Sequence, residues 1–238
     1  MRMAEGFRRA FLGVALAMVA TTIAAYDGLV EKKTFALASY TTVGGKTIRN
    51  VRIGYETYGM LNAAGDNAIF IPHFYSGTSH AAGKYTPSDA APGYWDAIIG
   101  SGKPIDTDKY FVVSADTLVN LNTKDPRVVT TGPASVDPDT GKPYGMTFPV
   151  VAYRDSVRVH KALVDSLGVK KLKAVAGASG GSLQAMEWAA VYPDFVERVI
   201  HVIGPGFGIE VDLRAVDRYS GRRTSLGITS THDAEELR

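Results

Sequence analysis

The chain contains no cysteine, so it can form no disulfide bond, offer no thiolate nucleophile and build no zinc–sulfur site. It also lacks a marked excess of either charge, because the formal net charge is only +2 at pH 7. Arg2, Arg8 and Arg9, set against Glu5, account for that excess, and the rest of the chain is neutral. This balance argues against nucleic acid or an anionic membrane surface as a partner.

Long hydrophobic runs are also scarce. Residues 10–25 form an uncharged stretch, which is shorter than the roughly 20 apolar residues that a membrane-spanning helix needs. A basic start, an apolar middle and small residues at the end are typical of a secretory signal. We therefore predict that residues 1–25 are a signal peptide-like segment, cleaved near Ala24 or Ala25, and that the protein is exported to the periplasm or secreted. Two alternatives stay open: an uncleaved membrane anchor, and a mis-assigned start codon in front of a cytoplasmic protein.

The remainder has the composition of one globular domain, with 45% hydrophobic and 21% charged residues in the whole chain. Residues 34–43 and 47–58 flank a glycine-containing turn, which predicts an antiparallel hairpin. In the second arm Val51 and Ile53 alternate with polar residues such as Glu56. The alternation predicts that Val51 and Ile53 lie on a buried face and Glu56 on the opposite, exposed one.

Further along, apolar runs alternate with helical patterns. The continuous apolar runs at residues 68–72 and 110–114 predict interior parallel strands. Helical periodicity is present in residues 94–99 and 153–167, and a glycine follows each segment. Strands that alternate with helices after an antiparallel opening predict an α/β fold, with a mostly parallel sheet and helices on both faces.

The most informative segment is Gly-Ala-Ser-Gly-Gly at residues 177–181. It lies between a strand-like apolar run at residues 172–176 and a helix-forming stretch at residues 182–190. Strand, turn and helix in this order are the context of a nucleophile elbow, in which glycines let the strand and the helix approach each other. Ser179 would then be the catalytic nucleophile, and the Gly180 N–H one donor to an oxyanion. The alternative is a glycine-rich loop with an incidental serine.

The histidines give no matching base. Only His201 and His232 follow Ser179; His201 lies in an apolar, strand-like run and His232 in a polar tail. We interpret His201 as a packed strand residue, so the Asp and His of a catalytic triad are assigned to no position in this chain. His73 and His80 share a loop without a cluster of carboxylates, and we predict no metal site there.

Several segments together resemble the homoserine O-acetyltransferase family of α/β-hydrolases, over roughly residues 35–204. They include the elbow, Arg154-Asp155 and the following stretches: HFYSGTSH (73–80), GSGKPIDTDKYF (100–111), TGPAS (131–135), PDTGKPYG (138–145), FPVV (148–151) and QAMEWA (184–189). The resemblance implies an α/β-hydrolase fold. It also implies a serine-nucleophile acyltransferase or ester hydrolase acting on a small ester or acyl substrate.

By this resemblance Ser179 accepts the acyl group, and the backbone N–H groups of Gly180 and Tyr75 donate to the oxyanion. His73 then shapes the loop as a hydrogen-bonded structural residue and is not the catalytic base. No cofactor is expected to stay bound, and acetyl-CoA would be the co-substrate of a transferase. Since an exported protein would not meet acetyl-CoA, the signal-like N-terminus favours water as the acyl acceptor. A homodimer stays open as the assembly.

The chain also departs from the family pattern. Ala178 and Gly180 stand where the family commonly has Gly and Met, and residues 118–130, which help to wall the pocket, differ from the family's segment. We expect residues 26–210 to be the hydrolase core and residues 211–238 a divergent polar tail.

The resemblance implies eight strands in the sheet, whereas the sequence pattern shows six. We therefore expect the last strands, and the Asp and His of the triad, to be missing from the chain. The alternative function is a truncated, non-catalytic remnant.

Overall fold

Residues 26–204, the part of the chain that the computed structural model describes, contain eight β-strands, two α-helices and one short 3₁₀ turn (Gly145–Thr147). In chain order these elements are β1 (Lys33–Thr41), β2 (Thr47–Tyr58), β3 (Ala68–Pro72), β4 (Ile99–Gly100), β5 (Ile105–Asp106), β6 (Phe111–Ala115), α1 (Tyr153–Ser166), β7 (Leu172–Ala178), α2 (Gly180–Val191) and β8 (Val199–Val202). The signal-like segment 1–25 and the whole predicted tail 211–238, with His232, lie outside the described residues.

Six of the strands form one sheet in the order β1-β2-β6-β3-β7-β8. The hairpin β1–β2 and the pair β2–β6 are antiparallel, whereas β3 pairs in parallel with both β6 and β7, and β7 with β8. The predicted hairpin and the mostly parallel sheet are therefore confirmed. Because the carboxyl ends of parallel strands meet at one edge of a sheet, the segments that follow β3, β6 and β7 come together there.

Two layers cover the sheet. On one face α1 and α2 pack against each other and bury Phe70, Leu163 and Trp188. On the other face the irregular segment between β3 and β6 covers Ile71 and Val112. Among the described residues both helices thus lie on the same face. Neither of these two helices is long and apolar enough to cross a bilayer.

The predicted helix at residues 94–99 is wrong. This segment consists of turns that run into β4, where Ile99 pairs in parallel with Ile105. The side chain of Lys103 folds back to the carboxylate of Asp96 at 3.2 Å and closes the connection between the two short strands. The apolar residues that gave the helical periodicity lie in turns that cover the sheet. Strand β4, which ends at Gly100, follows these turns directly, so no helix extends from them.

The alternation in β2 holds for its first half only. Val51 and Ile53 are fully buried as predicted, but Glu56, which the pattern places on the exposed face, is fully buried too. At Tyr55 the partner of β2 changes from β1 to the central strand β6, and Glu56 lies opposite Ser114. The loop after β3 covers its second face, so both faces of β2 are buried at Glu56.

Candidate active site

Ser179 occupies the sharp turn between β7 and α2. Its backbone angles are φ 52° and ψ −121°, a conformation that an L-residue adopts at a cost of about 1–3 kcal/mol. The neighbouring structure holds it there: the Ser179 N–H donates to the Val202 carbonyl at 3.0 Å, and its carbonyl accepts from the Ser182 N–H at 2.9 Å. Ser179 is exposed at the sheet edge. The chain thus presents one hydroxyl on a rigid, strained turn.

The two outer glycines make this turn feasible. A methyl group on Gly177 would lie 2.2 Å from the carbonyl oxygen of Gly181, and one on Gly181 would lie 2.3 Å from that of Pro72. Both distances are far below van der Waals contact, so any side chain would push β7, α2 and the end of β3 apart. This is the close approach of strand and helix that the elbow motif predicts.

The loop that follows β3 reaches the elbow through its backbone. A methyl group on Gly180 would lie 2.9 Å from the amide nitrogen of Tyr75, whereas the Tyr75 side chain is 66% exposed. The Gln184 side-chain amide donates to the His73 carbonyl at 3.0 Å and ties this loop to α2. The structure therefore brings together Ser179, Gly180 and Tyr75, the three site residues singled out in the sequence, at the positive end of the α2 dipole.

His73 is the hydrogen-bonded structural residue that the sequence predicts. Its ring is buried, with Nδ1 2.7 Å from the Phe74 carbonyl, while Nε2 accepts from the Thr117 N–H at 3.1 Å and lies 3.2 Å from the Asn120 amide. Burial lowers the pKa of His73 and favours the neutral ring that this pattern requires. With both nitrogens engaged, His73 holds the loop and has no free nitrogen to act as a base.

His80 and His160 are also engaged elsewhere. His80 lies 3.0 Å from the Glu56 carboxylate. The fully buried His160 contacts the Asp116 carbonyl at 3.0 Å, and burial lowers its pKa to about 4. His201 lies in β8 as predicted, partly buried. None of the four histidines within residues 26–204 hydrogen-bonds the Ser179 hydroxyl, and no three His, Cys, Asp or Glu side chains in this range are grouped as a metal site would require.

Sequence reasoning missed a buried polar cluster under the loop after β3, which we call the Glu56 cluster (Lys32, Glu56, Tyr58, His80, Tyr85 and Asp116). The Glu56 carboxylate accepts from the hydroxyls of Tyr85 at 2.7 Å and Tyr58 at 2.8 Å, and pairs with Lys32 at 2.9 Å. Burial alone would raise the pKa of Glu56, but the bond to His80, the Lys32 charge and the Tyr85 hydroxyl together hold it below its ordinary value. No local pattern signals this cluster, since its members come from distant segments.

The Glu56 cluster fixes the backbone of the loop. The Tyr58 hydroxyl accepts from the N–H groups of Ala81 and Ala82, both at 3.1 Å. The Asp116 carboxylate accepts from the Ser79 N–H at 2.7 Å and lies 3.6 Å from the Lys32 ammonium group. The loop that brings Tyr75 to the elbow is therefore attached to buried charges in the sheet beneath it.

The segment after β6 supports the same loop from the other side. The Asn122 amide donates to the Ser76 carbonyl at 3.0 Å, and the Asn120 amide to the Gly77 carbonyl at the same distance. Val119 has a φ of 55°, unusual for a β-branched residue, and lines a cavity of about 170 Å³ together with residues up to Ser135. This is the segment that departs from the family pattern.

Solved structures resemble this chain in sequence and fold. The crystal structure of esterase E22 is 61% identical, with a TM-score of 0.73 over 75% of this chain and 48% of its own. That of homoserine O-acetyltransferase from Bacillus anthracis is 49% identical, with a TM-score of 0.72 over 74% of this chain and 47% of its own. The sheet order, the strained elbow and these likenesses define an α/β-hydrolase fold, as the sequence predicts.

The curated relatives narrow the class further. The homoserine O-acetyltransferase of Solidesulfovibrio magneticus is 46% identical over 177 residues, which are 73% of this chain and 43% of that protein. Over 73% of its length the chain is therefore homologous to a homoserine O-acetyltransferase, and its fold is that of the α/β-hydrolase superfamily. It spans less than half the length of the relatives named here, and no family model matches it.

Proposed function

We propose that the protein is a serine-nucleophile acyl-transfer enzyme that forms an acyl-Ser179 intermediate. The main observation that supports this proposal is the geometry of the elbow. An exposed Ser179 stands on a strained turn at the N-terminus of α2, and the backbone of Gly180 is in contact with that of Tyr75. Such an elbow presents a nucleophile beside backbone donors, which is the arrangement that acyl transfer needs.

In the proposed reaction the Ser179 oxygen bonds to the carbonyl carbon of an ester or thioester. The carbonyl oxygen takes up negative charge and accepts hydrogen bonds from the N–H groups of Gly180 and Tyr75. The carbonyl re-forms as the bond to the leaving group breaks, and that group departs with a proton. An alcohol or water then attacks the acyl-Ser179 carbonyl by the same route. The base that takes the Ser179 proton is not among the described histidines.

The acceptor is either water or a hydroxyl compound, and the relatives support both. The relative at 46% identity is named for acetyl transfer to homoserine, with acetyl-CoA as the corresponding co-substrate. The structure at 61% identity is named an esterase, which favours water. We propose hydrolysis as the main activity, and incubation with an acetyl ester, with and without homoserine, tests it. Free acetate in both reactions supports a hydrolase, whereas O-acetylhomoserine identifies a transferase.

Covalent labelling tests the nucleophile. A fluorescent fluorophosphonate should attach to Ser179, and Ser179→Ala should abolish the label. Labelling should be slow, since no described histidine contacts the serine and loss of a triad member costs orders of magnitude in rate. Ser76→Ala, which removes an exposed hydroxyl beside Tyr75, is the matched control and should label like the wild type. Equal labelling of Ser179→Ala and wild type would favour the non-catalytic remnant.

We also propose that the protein is exported. The support is the sequence of residues 1–25, with its basic start, apolar middle and small residues at the end. Intact-mass measurement of protein from a periplasmic or secreted fraction should give a chain that starts near Tyr26. An intact N-terminus in the soluble cytoplasmic fraction would overturn this proposal and would strengthen the transferase alternative, because acetyl-CoA is available there.

A further inference from the structure

Tyr153 is the first residue of α1, and its position is fixed by the helix start. The Asp155 carboxylate accepts from the Ala152 N–H at 2.7 Å and so caps the first turn. The same buried carboxylate accepts from the Tyr40 hydroxyl at 2.8 Å and from the Val43 N–H at 2.7 Å, both in the hairpin. The first turn of α1 is therefore anchored to the sheet, and Tyr153 is presented from a rigid element.

The Tyr153 side chain reaches the elbow. A methyl group on Gly180 would lie 3.0 Å from the Tyr153 hydroxyl oxygen and 2.9 Å from the Tyr75 amide nitrogen. The phenol and that amide thus flank the same side of Gly180. The absence of a side chain at Gly180 leaves the space in which the Tyr153 hydroxyl lies.

The Tyr153 hydroxyl is available to a ligand. No hydrogen bond joins it to another group within residues 26–204, although the residue is partly buried and burial raises its pKa. A phenol that keeps its proton and has no acceptor can donate to an oxygen that enters the site. The oxygen that the elbow is built to receive is the carbonyl oxygen of an acyl group on Ser179.

We infer that Tyr153 is a further catalytic residue, whose hydroxyl donates a hydrogen bond to the carbonyl oxygen of the acyl group held by Ser179. The inference rests on the proposed function, since it assigns a third donor beside the N–H groups of Gly180 and Tyr75. The contribution is a side-chain hydroxyl, so it can be removed by substitution, whereas the two amides cannot. A donor aimed at this oxygen stabilises the tetrahedral intermediate more than the ground state.

Tyr153→Phe tests the inference, because it removes one oxygen atom and keeps the ring. The matched control is Tyr192→Phe, which also removes the hydroxyl of a partly buried tyrosine but lies at the opposite end of α2. The readout is the second-order rate of labelling of Ser179 by a fluorophosphonate, whose phosphonyl oxygen occupies the place of the oxyanion. We expect labelling of Tyr153→Phe to be about tenfold to a hundredfold slower, with an unchanged melting temperature, and labelling of Tyr192→Phe to stay within about twofold of wild type.

A structure of the phosphonylated protein gives a second measurement. It should place the Tyr153 hydroxyl oxygen within hydrogen-bond distance, about 3 Å, of the phosphonyl oxygen. Labelling of Tyr153→Phe at the wild-type rate, or a phenol turned away from the phosphonyl oxygen, would overturn the role of Tyr153 and leave the acyl-Ser179 proposal standing. Labelling that persists in Ser179→Ala would overturn both.

Discussion

The backbones of Tyr75 and Gly180 are in contact, because a methyl group on Gly180 would lie 2.9 Å from the Tyr75 amide nitrogen. These residues are far apart in the sequence and come from the ends of two neighbouring parallel strands, β3 and β7. The contact leaves no room for a side chain at Gly180 unless the loop after β3 moves. The spacing of the two proposed oxyanion donors therefore depends on the absence of one methyl group.

Gly180→Ala should disturb this contact. We expect a loss of about 1–3 kcal/mol in the free energy of unfolding, because the added carbon meets backbone and cannot be accommodated by a side-chain rotation. Labelling of Ser179 should slow as well, since the loop must move. Urea unfolding and labelling rates measure the two effects. Gly44→Ala is the control: its methyl group would meet only the Thr42 hydroxyl at 3.8 Å, so stability and labelling should stay near wild type.

The strain at Ser179 is measurable by a pair of substitutions. Ser179→Ala keeps a Cβ atom at φ 52°, whereas Ser179→Gly removes it and relieves the strain. We expect the glycine variant to be more stable than the alanine variant by about 1 kcal/mol or more, measured by urea unfolding. The two variants lack the same hydroxyl, so the difference reports the relief of backbone strain minus the entropy that glycine adds to the unfolded chain, about 0.5–1 kcal/mol. A glycine variant less stable than the alanine variant by that amount would show that the turn is not strained.

The Glu56 cluster should contribute strongly to stability. Glu56→Gln leaves the Lys32 ammonium group without its closest charged partner in a buried site, and we expect a loss of about 3 kcal/mol in the free energy of unfolding. Glu31→Gln, an exposed residue near the same strand, should cost almost nothing. Equal effects of Glu56→Gln and Glu31→Gln would contradict this account.

Stability should depend on pH through His160. Burial lowers its pKa to about 4, from about 6.5 in an unfolded chain. As the pH falls below 6.5, His160 binds a proton in the unfolded state but not in the folded state. The free energy of unfolding therefore decreases until about pH 4 and then levels off. The shift corresponds to about 3 kcal/mol. His160→Gln should flatten the stability curve between these pH values; part of the slope should remain, because burial lowers the pKa of His73 too.

Much of the fold follows from local sequence patterns. Continuous apolar runs identify β3, β6 and β7, and helical periodicity ended by Gly168 identifies α1. The glycines around Ser179 identify the elbow, because their spacing reflects a local steric requirement. Each of these patterns depends on contacts between residues close in the sequence or on burial of a whole strand, which is why they can be read without the structure.

The rest depends on contacts between distant segments. Alternation predicts an exposed face for Glu56, yet the loop after β3 covers it and supplies His80 and Tyr85 as partners. Periodicity at residues 94–99 predicts a helix, but the segment forms turns that lead into β4, which pairs with β5. Tyr153 stands out in no sequence pattern, since only the packing of α1 beside α2 brings its hydroxyl to the elbow.

The bond from the Gln184 side chain to the His73 carbonyl joins two segments 111 positions apart. Neither the loop after β3 nor the elbow can reach its final geometry before β3 and β7 have paired, and this pairing closes a long stretch of chain. The reactivity that we propose for Ser179 should therefore depend on the assembled sheet and not on the local motif alone. During refolding, labelling of Ser179 by the phosphonate should begin only when β3 and β7 have paired. The time at which labelling begins would therefore report the formation of the parallel part of the sheet.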